Sequence, residues 1–239
     1  MNPNSMLNWL PVVEALGIPS PRTFLRPVAD PTAWWGWADG DGVPSDFKAL
    51  LGQLGEDAAT LGYPVFVRTD LCSGKHSWLD SCYVPDAESL EAHVLAVVEW
   101  TFLGPDEPPA AIAVREFLPL ESKFAAFNGL PIAVERRVFA DSGVVLCEHF
   151  YWPEMAFDDR HHEPPLPENW RGLLRNMSEL QPGEFSLCNW AEEVTARLGG
   201  AWSVDFSLTA DGRGWMLIDM ALAAESWHPE DCPMRASTR

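Results

Sequence analysis

The sequence predicts an α+β fold in two lobes with largely antiparallel sheets, and three observations predict it. Apolar residues recur at helical spacing in separate blocks around Phe47–Ala58, Leu90–Val98 and Leu187–Leu198. Strand-like runs follow one another through tight turns at Asn128-Gly129 and Asp141-Ser142-Gly143, which makes a meander and excludes a parallel doubly wound sheet for the second half. The stretch WSVDFSLTADGRGWMLIDM, Trp202 to Met220, reads as two strands about an Asp-Gly turn. A chain of 239 residues with 47% hydrophobic content is long enough for a real core.

Each element has a local reason. Residues 6–16 form a short helix stopped by Gly17, followed by the extended, proline-bearing IPSPRTFLRP. Residues 30–44, with Trp34, Trp35 and Trp37, form a loop whose aromatics need cover. Ser45 caps a helix carrying Phe47, Leu50, Leu51, Leu54 and Ala58, which ends at Leu61-Gly62. Tyr63 to Arg68 is a strand running into the polar turn TDLCSGKHSW. Asp86 caps a helix striped with Leu90, Val94, Val97 and Val98 that reaches about Leu103, where GPDEPP breaks it. Residues 110–118 are an apolar strand ending in Arg115 and Glu116, and two strands flank Asn128-Gly129 with Pro131 weakening the ladder. PIAVERRVF and VVLCEHFYW complete the meander; residues 153–170 are a proline-rich loop, and a final helix closes at Gly199-Gly200. The tail from Trp227 reads as irregular.

Trp202, Val204, Phe206 and Leu208 alternate with Ser203, Asp205 and Ser207, the period of a half-buried strand. If a three-residue loop centres on Gly212, Asp205, seven residues before it, faces Asp219, seven after. Two opposed carboxylates repel, and a hard divalent ion such as Mg²⁺ between them relieves this. A register one residue off places Asp219 on the other face instead.

A formal net charge of -19 argues against a nucleic-acid backbone or an anionic membrane as the main partner. The N-terminus shows no leader pattern, and no run approaches the roughly 20 apolar residues of a membrane helix, so a cytoplasmic protein is expected. Five scattered cysteines without a C-x-x-C pair indicate neither a disulfide framework nor a zinc site. Asp158, Asp159, His161, His162 and Glu163 cluster in one loop, but adjacent histidines chelate one ion poorly, and a solvated loop or substrate-side lid is the expected role.

Ser73-Gly74-Lys75-His76 is not a Walker loop, because Thr69 stands where its first glycine belongs and His76 where Ser or Thr belongs. Serine-hydrolase, zincin and dinucleotide signatures do not occur. What remains is an order of parts. A strand ends in a cation (Arg68), a Gly-Lys loop follows, and a later strand ends in Glu116. Arginines come next in the meander, and two carboxylates lie far downstream.

That order resembles the ATP-grasp superfamily from LGIPSPRTF to IDM, and most closely its small arginine-to-lysine group of phage and bacterial type. The resemblance implies two lobes, residues 1–118 and 119–239, gripping a nucleotide. GYPVFVR is similar to the strand whose last residue, here Arg68, meets the phosphates, and Ser73, Gly74, Lys75 and His76 to the loop over them. VREFLPLES resembles the hinge, with Glu116, Phe117 and Leu118 at the adenine and Glu121 at the ribose; Lys123 stands where the family has arginine. Asp205 and Asp219 then hold Mg²⁺ against ATP. The arginine usual two residues before the first carboxylate is Ser203 here, so Arg136 or Arg137 serves the transition state, and Ala221 replaces the asparagine after the second. The implied activity is ATP-dependent ligation of a carboxylate, on a small molecule or peptide, to an amine or thiol through an acyl phosphate. The alternative is an ATP-binding assembly chaperone without ligase chemistry.

Overall fold

A computed structural model describes residues 2–38, 40, 42–43, 45–103, 108–158 and 161–238. Asp159 of the loop cluster and residues 104–107 of the expected helix break lie outside the described residues. In order, the elements are α1 (Met6–Leu16), β1 (Thr23–Pro27), α2 (Trp34–Ala38), α3 (Ser45–Leu61), β2 (Val65–Thr69), β3 (Tyr83–Val84), α4 (Leu90–Phe102) and β4 (Ala111–Glu116). They continue with β5 (Ser122–Ala126), β6 (Leu130–Ala133), β7 (Glu135–Asp141), β8 (Val144–Phe150), α5 (Trp170–Ser178), α6 (Phe185–Leu198), β9 (Ala201–Leu208) and β10 (Trp215–Leu222). None of these helices is long and apolar enough to cross a membrane.

The chain divides into two compact units, the first of residues 1–7, 21–117 and 127–130, the second of residues 8–20, 118–126 and 131–239. Residues 8–20 thus fall in the second unit, where Leu217 N–H donates to the Pro19 carbonyl at 2.7 Å.

The first unit holds an antiparallel sheet in the order β1-β4-β2-β3. Its core is built from the alternating Val65 and Val67, the wholly buried run Ala111–Val114, and Val94, Val97, Val98, Leu54 and Ala58 from the helices. Asp86 does not cap α4, which begins at Leu90. Its Oδ1 accepts from Ser89 N–H at 3.0 Å and closes the turn ahead of the helix. The tryptophan loop contains the short α2, and Trp34 finds its cover against Phe47 at 4.0 Å, with its indole N–H donating to the Pro109 carbonyl. Asp70 is a buried carboxylate made tolerable by three donors: Ser5 Oγ, and Ala110 and Ala111 N–H at 2.9 and 3.1 Å.

The second unit is organised by a four-stranded antiparallel sheet, β10-β9-β7-β8, with β5 and β6 as a separate two-stranded ladder. Helix α5 starts where the loop expected over residues 153–170 ends: Trp170, Leu174 and Met177 bury one stripe at helical spacing, among mostly polar neighbours. Helix α6 lies on one face of the large sheet, where Trp190 meets Phe206 at 6.0 Å. Gly143 allows the β7–β8 turn to approach it. Its φ is +92°, and a Cβ there would stand 3.0 Å from Ala196 Cβ.

Candidate functional site

Side chains alternate between the faces of a strand, so neighbours in sequence part company and directly paired residues of adjacent strands share a face. In the second unit Arg137 pairs with His149 of β8 and with Asp205 of β9, and Asp205 pairs with Asp219 of β10. One row therefore crosses the sheet: Asp219, Asp205, Arg137, His149. It lies on the face opposite α6.

The row exists because of a bulge. Leu208 pairs with Trp215, so the turn is not the three-residue loop centred on Gly212, and up to Leu217↔Phe206 the register is one residue off the expected one. An irregularity between Leu217 and Asp219 takes up Ile218 as the extra residue, and Asp219 is returned to the face of Asp205. Leu217 and Met220, buried on the α6 side, hold the register on either side of it.

Arg137 grips Asp205 with two parallel hydrogen bonds, Nε to Oδ1 and Nη2 to Oδ2, both 2.7 Å, and its Nη1 donates to the Trp227 carbonyl at 3.3 Å. Burial opposes the charge on Arg137, but the field and hydrogen bonds of Asp205, with Tyr151 and Asp219 beyond, hold its pKa above the ordinary arginine value. Asp219 accepts from Met220 N–H at 3.0 Å. Two carboxylates face one guanidinium here. Their hard oxygen donors fit a divalent ion such as Mg²⁺, which is ordinarily bound by one or two carboxylates together with a ligand's oxygens.

Arg136, the other arginine expected at the transition state, lies apart from this row. It points to the α6 face, where it pairs with Glu184 and donates to the carbonyls of Met177, Ser178 and Glu179, at 3.2, 3.3 and 2.7 Å. A side chain so committed anchors the α5–α6 connection and is not part of the row. Only one of two consecutive strand residues reaches a given face.

The remaining expected residues divide between the units. In the second, Leu118 is buried, and Glu121 and Lys123 form an ion pair. The Glu121 backbone is fixed by bonds from its N–H to the Leu208 carbonyl and from Val134 N–H to its own carbonyl, both 2.8 Å. In the first, Arg68 is buried on β2 with Nε donating to the Thr69 carbonyl at 3.1 Å. Ser73 and Gly74 precede a short 3-10 helix that begins with Lys75 and His76, and His76 stacks on Phe127 at 4.8 Å. Gly74 has a φ of +61°, and a Cβ on it would stand 3.0 Å from the Trp100 ring, so backbone and packing alone require glycine there. Glu116 accepts from Arg22 N–H at 2.9 Å, and Phe117 meets Tyr83 edge-on at 5.4 Å. In the 153–170 loop Asp158 pairs with Arg171 at 2.8 Å, and His161 and Glu163 are mostly exposed.

A second constellation on the same sheet face brings together two of the scattered cysteines. Cys147, His149, His228 and Cys232 converge, their four donor atoms all within 4.8 Å of one another. Cys147 Sγ lies 3.1 Å from His228 Nε2. Burial, and then the neighbouring Cys232 thiol, push the Cys147 thiol up to about 12. Burial, and then His228, hold His149 below the ordinary histidine value. The signal was in the sequence as C-x-H on one strand face and H-x3-C in the tail, two pairs separated by most of a domain.

No family model and no curated protein matches the sequence. Among solved structures, C-terminally truncated Cdc123 from Schizosaccharomyces pombe is similar with a TM-score of 0.54 and 13% identity, over 91% of this chain and 82% of that one. A RimK domain ATP-grasp protein from Sphaerobacter thermophilus DSM 20745 gives 0.46 and 15%, over 91% and 57%. D-alanine–D-alanine ligase from Bacillus anthracis, complexed with ATP, gives 0.48 and 11%, over 91% and 54%. The chain thus spans little more than half the length of these last two. Identities of this size speak of fold alone. The chain has an α+β fold with antiparallel sheets, similar over most of its length to that of Cdc123.

Proposed function

We propose that the chain is an ATP-dependent ligase that joins a carboxylate of a small molecule or peptide to an amine or thiol. The observation that carries this reading is the row Asp219, Asp205, Arg137 on one face of the sheet, in a chain whose order of motifs resembles the ATP-grasp superfamily. A substrate carboxylate oxygen attacks the γ-phosphorus of ATP and ADP departs. The amine or thiol then attacks the acyl carbon, phosphate leaves, and the nucleophile's proton passes to solvent.

Asp205 and Asp219 would hold Mg²⁺, which supplies neutralisation of the phosphate charge. Arg137, kept charged by its pairing with Asp205, and Lys123 would stabilise the charge that spreads onto the transferred group. Arg68, Ser73, Gly74, Lys75 and His76 are assigned to phosphate binding, the backbone at Glu116, Phe117 and Leu118 to adenine, and Glu121 to the ribose. With a net charge of -19 the protein needs such local cations to hold a triphosphate at all.

The test is release of ADP from Mg²⁺-ATP over pooled amino acids, short peptides and simple carboxylates. Turnover that depends on an added carboxylate and amine supports the ligase. Tight ATP binding without acceptor-dependent turnover supports the second reading, an ATP-binding assembly factor. That reading is favoured by one observation: both oxygens of Asp205 are already engaged by Arg137.

A further inference from the structure

We propose that Cys147, His149, His228 and Cys232 form a structural zinc site that fastens the C-terminal segment to the open face of the second unit's sheet. The inference is independent of the ligase reading. Cys147 and His149 are two residues apart on β8 and so share a face, with Phe139 and Arg137 of β7 opposite them. His228 and Cys232 come from the segment that follows β10, and His228 lies over Phe139 with ring centroids 4.4 Å apart.

The donor chemistry is specific. Two thiols and two imidazoles make the set that selects a tetrahedral, borderline-soft ion over a hard one. A zinc-sized ion with Zn–S of about 2.3 Å and Zn–N of about 2.0 Å spaces its ligand atoms by roughly 3.3–3.8 Å. The four atoms here, all within 4.8 Å, need only a small contraction to reach that spacing.

Hydrogen bonding leaves a nitrogen of each histidine available to a ligand. His149 Nε2 is buried and has no hydrogen-bond partner among the described residues. Such an atom loses its water without recompense unless a ligand takes the lone pair. His228 Nδ1 lies 3.2 Å from the Pro229 carbonyl; donation to that carbonyl places the proton on Nδ1 and leaves Nε2, the atom nearest Cys147, as the electron-pair donor. A backbone carbonyl in this position is the usual outer partner of a metal-bound histidine.

All four positions are protein atoms, so the site is closed and has no place for substrate. Its work is mechanical. Other bonds of the segment to the sheet include Ser226 Oγ with Ser203 Oγ at 2.6 Å and Arg137 Nη1 to the Trp227 carbonyl at 3.3 Å. Because Trp227 bonds Arg137, the metal would also brace the arginine that holds Asp205. Binding releases the two thiol protons to solvent.

The test uses the full chain expressed with added zinc and, separately, the metal-free chain loaded with cobalt. The expected result is about one zinc per chain and the visible spectrum of tetrahedral cobalt bound by thiolate. Cys232→Ser should weaken zinc at least about tenfold, and His149→Ala with Cys232→Ser should remove it. Circular dichroism checks that these variants fold. A second measurement needs no variant: zinc should raise the melting temperature of the metal-free chain, and chelator should reverse the rise. Asp205→Asn, on the neighbouring carboxylate, should leave the zinc in place. The proposal is overturned by octahedral cobalt only, by melting indifferent to zinc and chelator, by zinc retained in the double variant, or by a Cys147–Cys232 disulfide in the purified chain.

Discussion

The two faces of the second unit's sheet receive consecutive arginines and treat them in opposite ways. On the α6 face, Arg136 is enclosed by Glu184 and three carbonyls, and lies near the rings of Phe150 and Trp215. On the other, Arg137 sits at the centre of a polar row, with one carboxylate gripped, a second beyond it and a metal-type quartet beginning at the next strand. The first arrangement is satisfied within itself. The second carries two carboxylates to one guanidinium and a buried nitrogen with no hydrogen-bond partner among the described residues. One face closes the fold, and the other carries the residues of both proposals.

The sharpest way to break this contrast is on the closed side. Arg136→Ala leaves Glu184, itself buried, without its cation, and loss of one member of a buried pair costs about 3–5 kcal/mol. Urea denaturation should show that loss, and a cost under about 1 kcal/mol would mean that the pair is exposed in solution. The open side should respond in binding. On the proposed function, wild-type protein at a ligand concentration of about 100 times Kd should gain roughly 2.7 kcal/mol from Mg²⁺-ATP, and Asp219→Asn should abolish that gain. Melting shifts with ATP that are unchanged by the substitution would remove Asp219 from the site.

Arg137→Lys sharpens the comparison further. The charge survives but the fork does not, and replacement of two charge-assisted bonds by one point contact should cost about 1.5 kcal/mol of stability. The same variant should bind Mg²⁺-ATP differently from wild type, because Asp205 is then less firmly oriented. A chain indistinguishable from wild type in both assays would reduce Arg137 to a spectator.

The contrast also marks what could be read from residues alone. The alternation WSVDFSL names the face of Asp205 because period two is a property of any strand. The facing of Asp219 agrees with the expected pairing although the turn does not: the loop is longer than supposed, and the bulge at Ile218 makes up the difference. No pattern in LIDM announces a bulge, since it is set by the burial of Leu217 and Met220 on the far side. The meander, α3, α6 and the antiparallel pairing were legible because each is local. Helix α5 was not, its stripe being only three residues long. Alternation along β7 already separates Arg136 from Arg137 in the sequence. The quartet was missed because Cys147 and Cys232 become neighbours only through the packing of the tail.

The smallest effect concerns the rim of the closed face. Glu148 stands beside α6, 3.9 Å from Arg136, and accepts from the Cys188 thiol at 3.6 Å. Burial, then the charge of Glu184, raise its carboxyl above the ordinary carboxylate value, and the Cys188 bond and Arg136 pull the other way. A carboxyl raised on folding binds its proton more tightly in the native state. Its contribution to stability is therefore complete below the unfolded value and is lost as pH rises through the folded one. Glu148→Gln keeps the shape and removes the titration. The variant should gain on wild type between about pH 4 and pH 7, by no more than about 0.5 kcal/mol because the side chain is partly exposed and screened. Urea midpoints across that range measure the gain. Parallel profiles would show that Arg136, shared with Glu184, already neutralises Glu148, and the closed face would then be balanced to its edge.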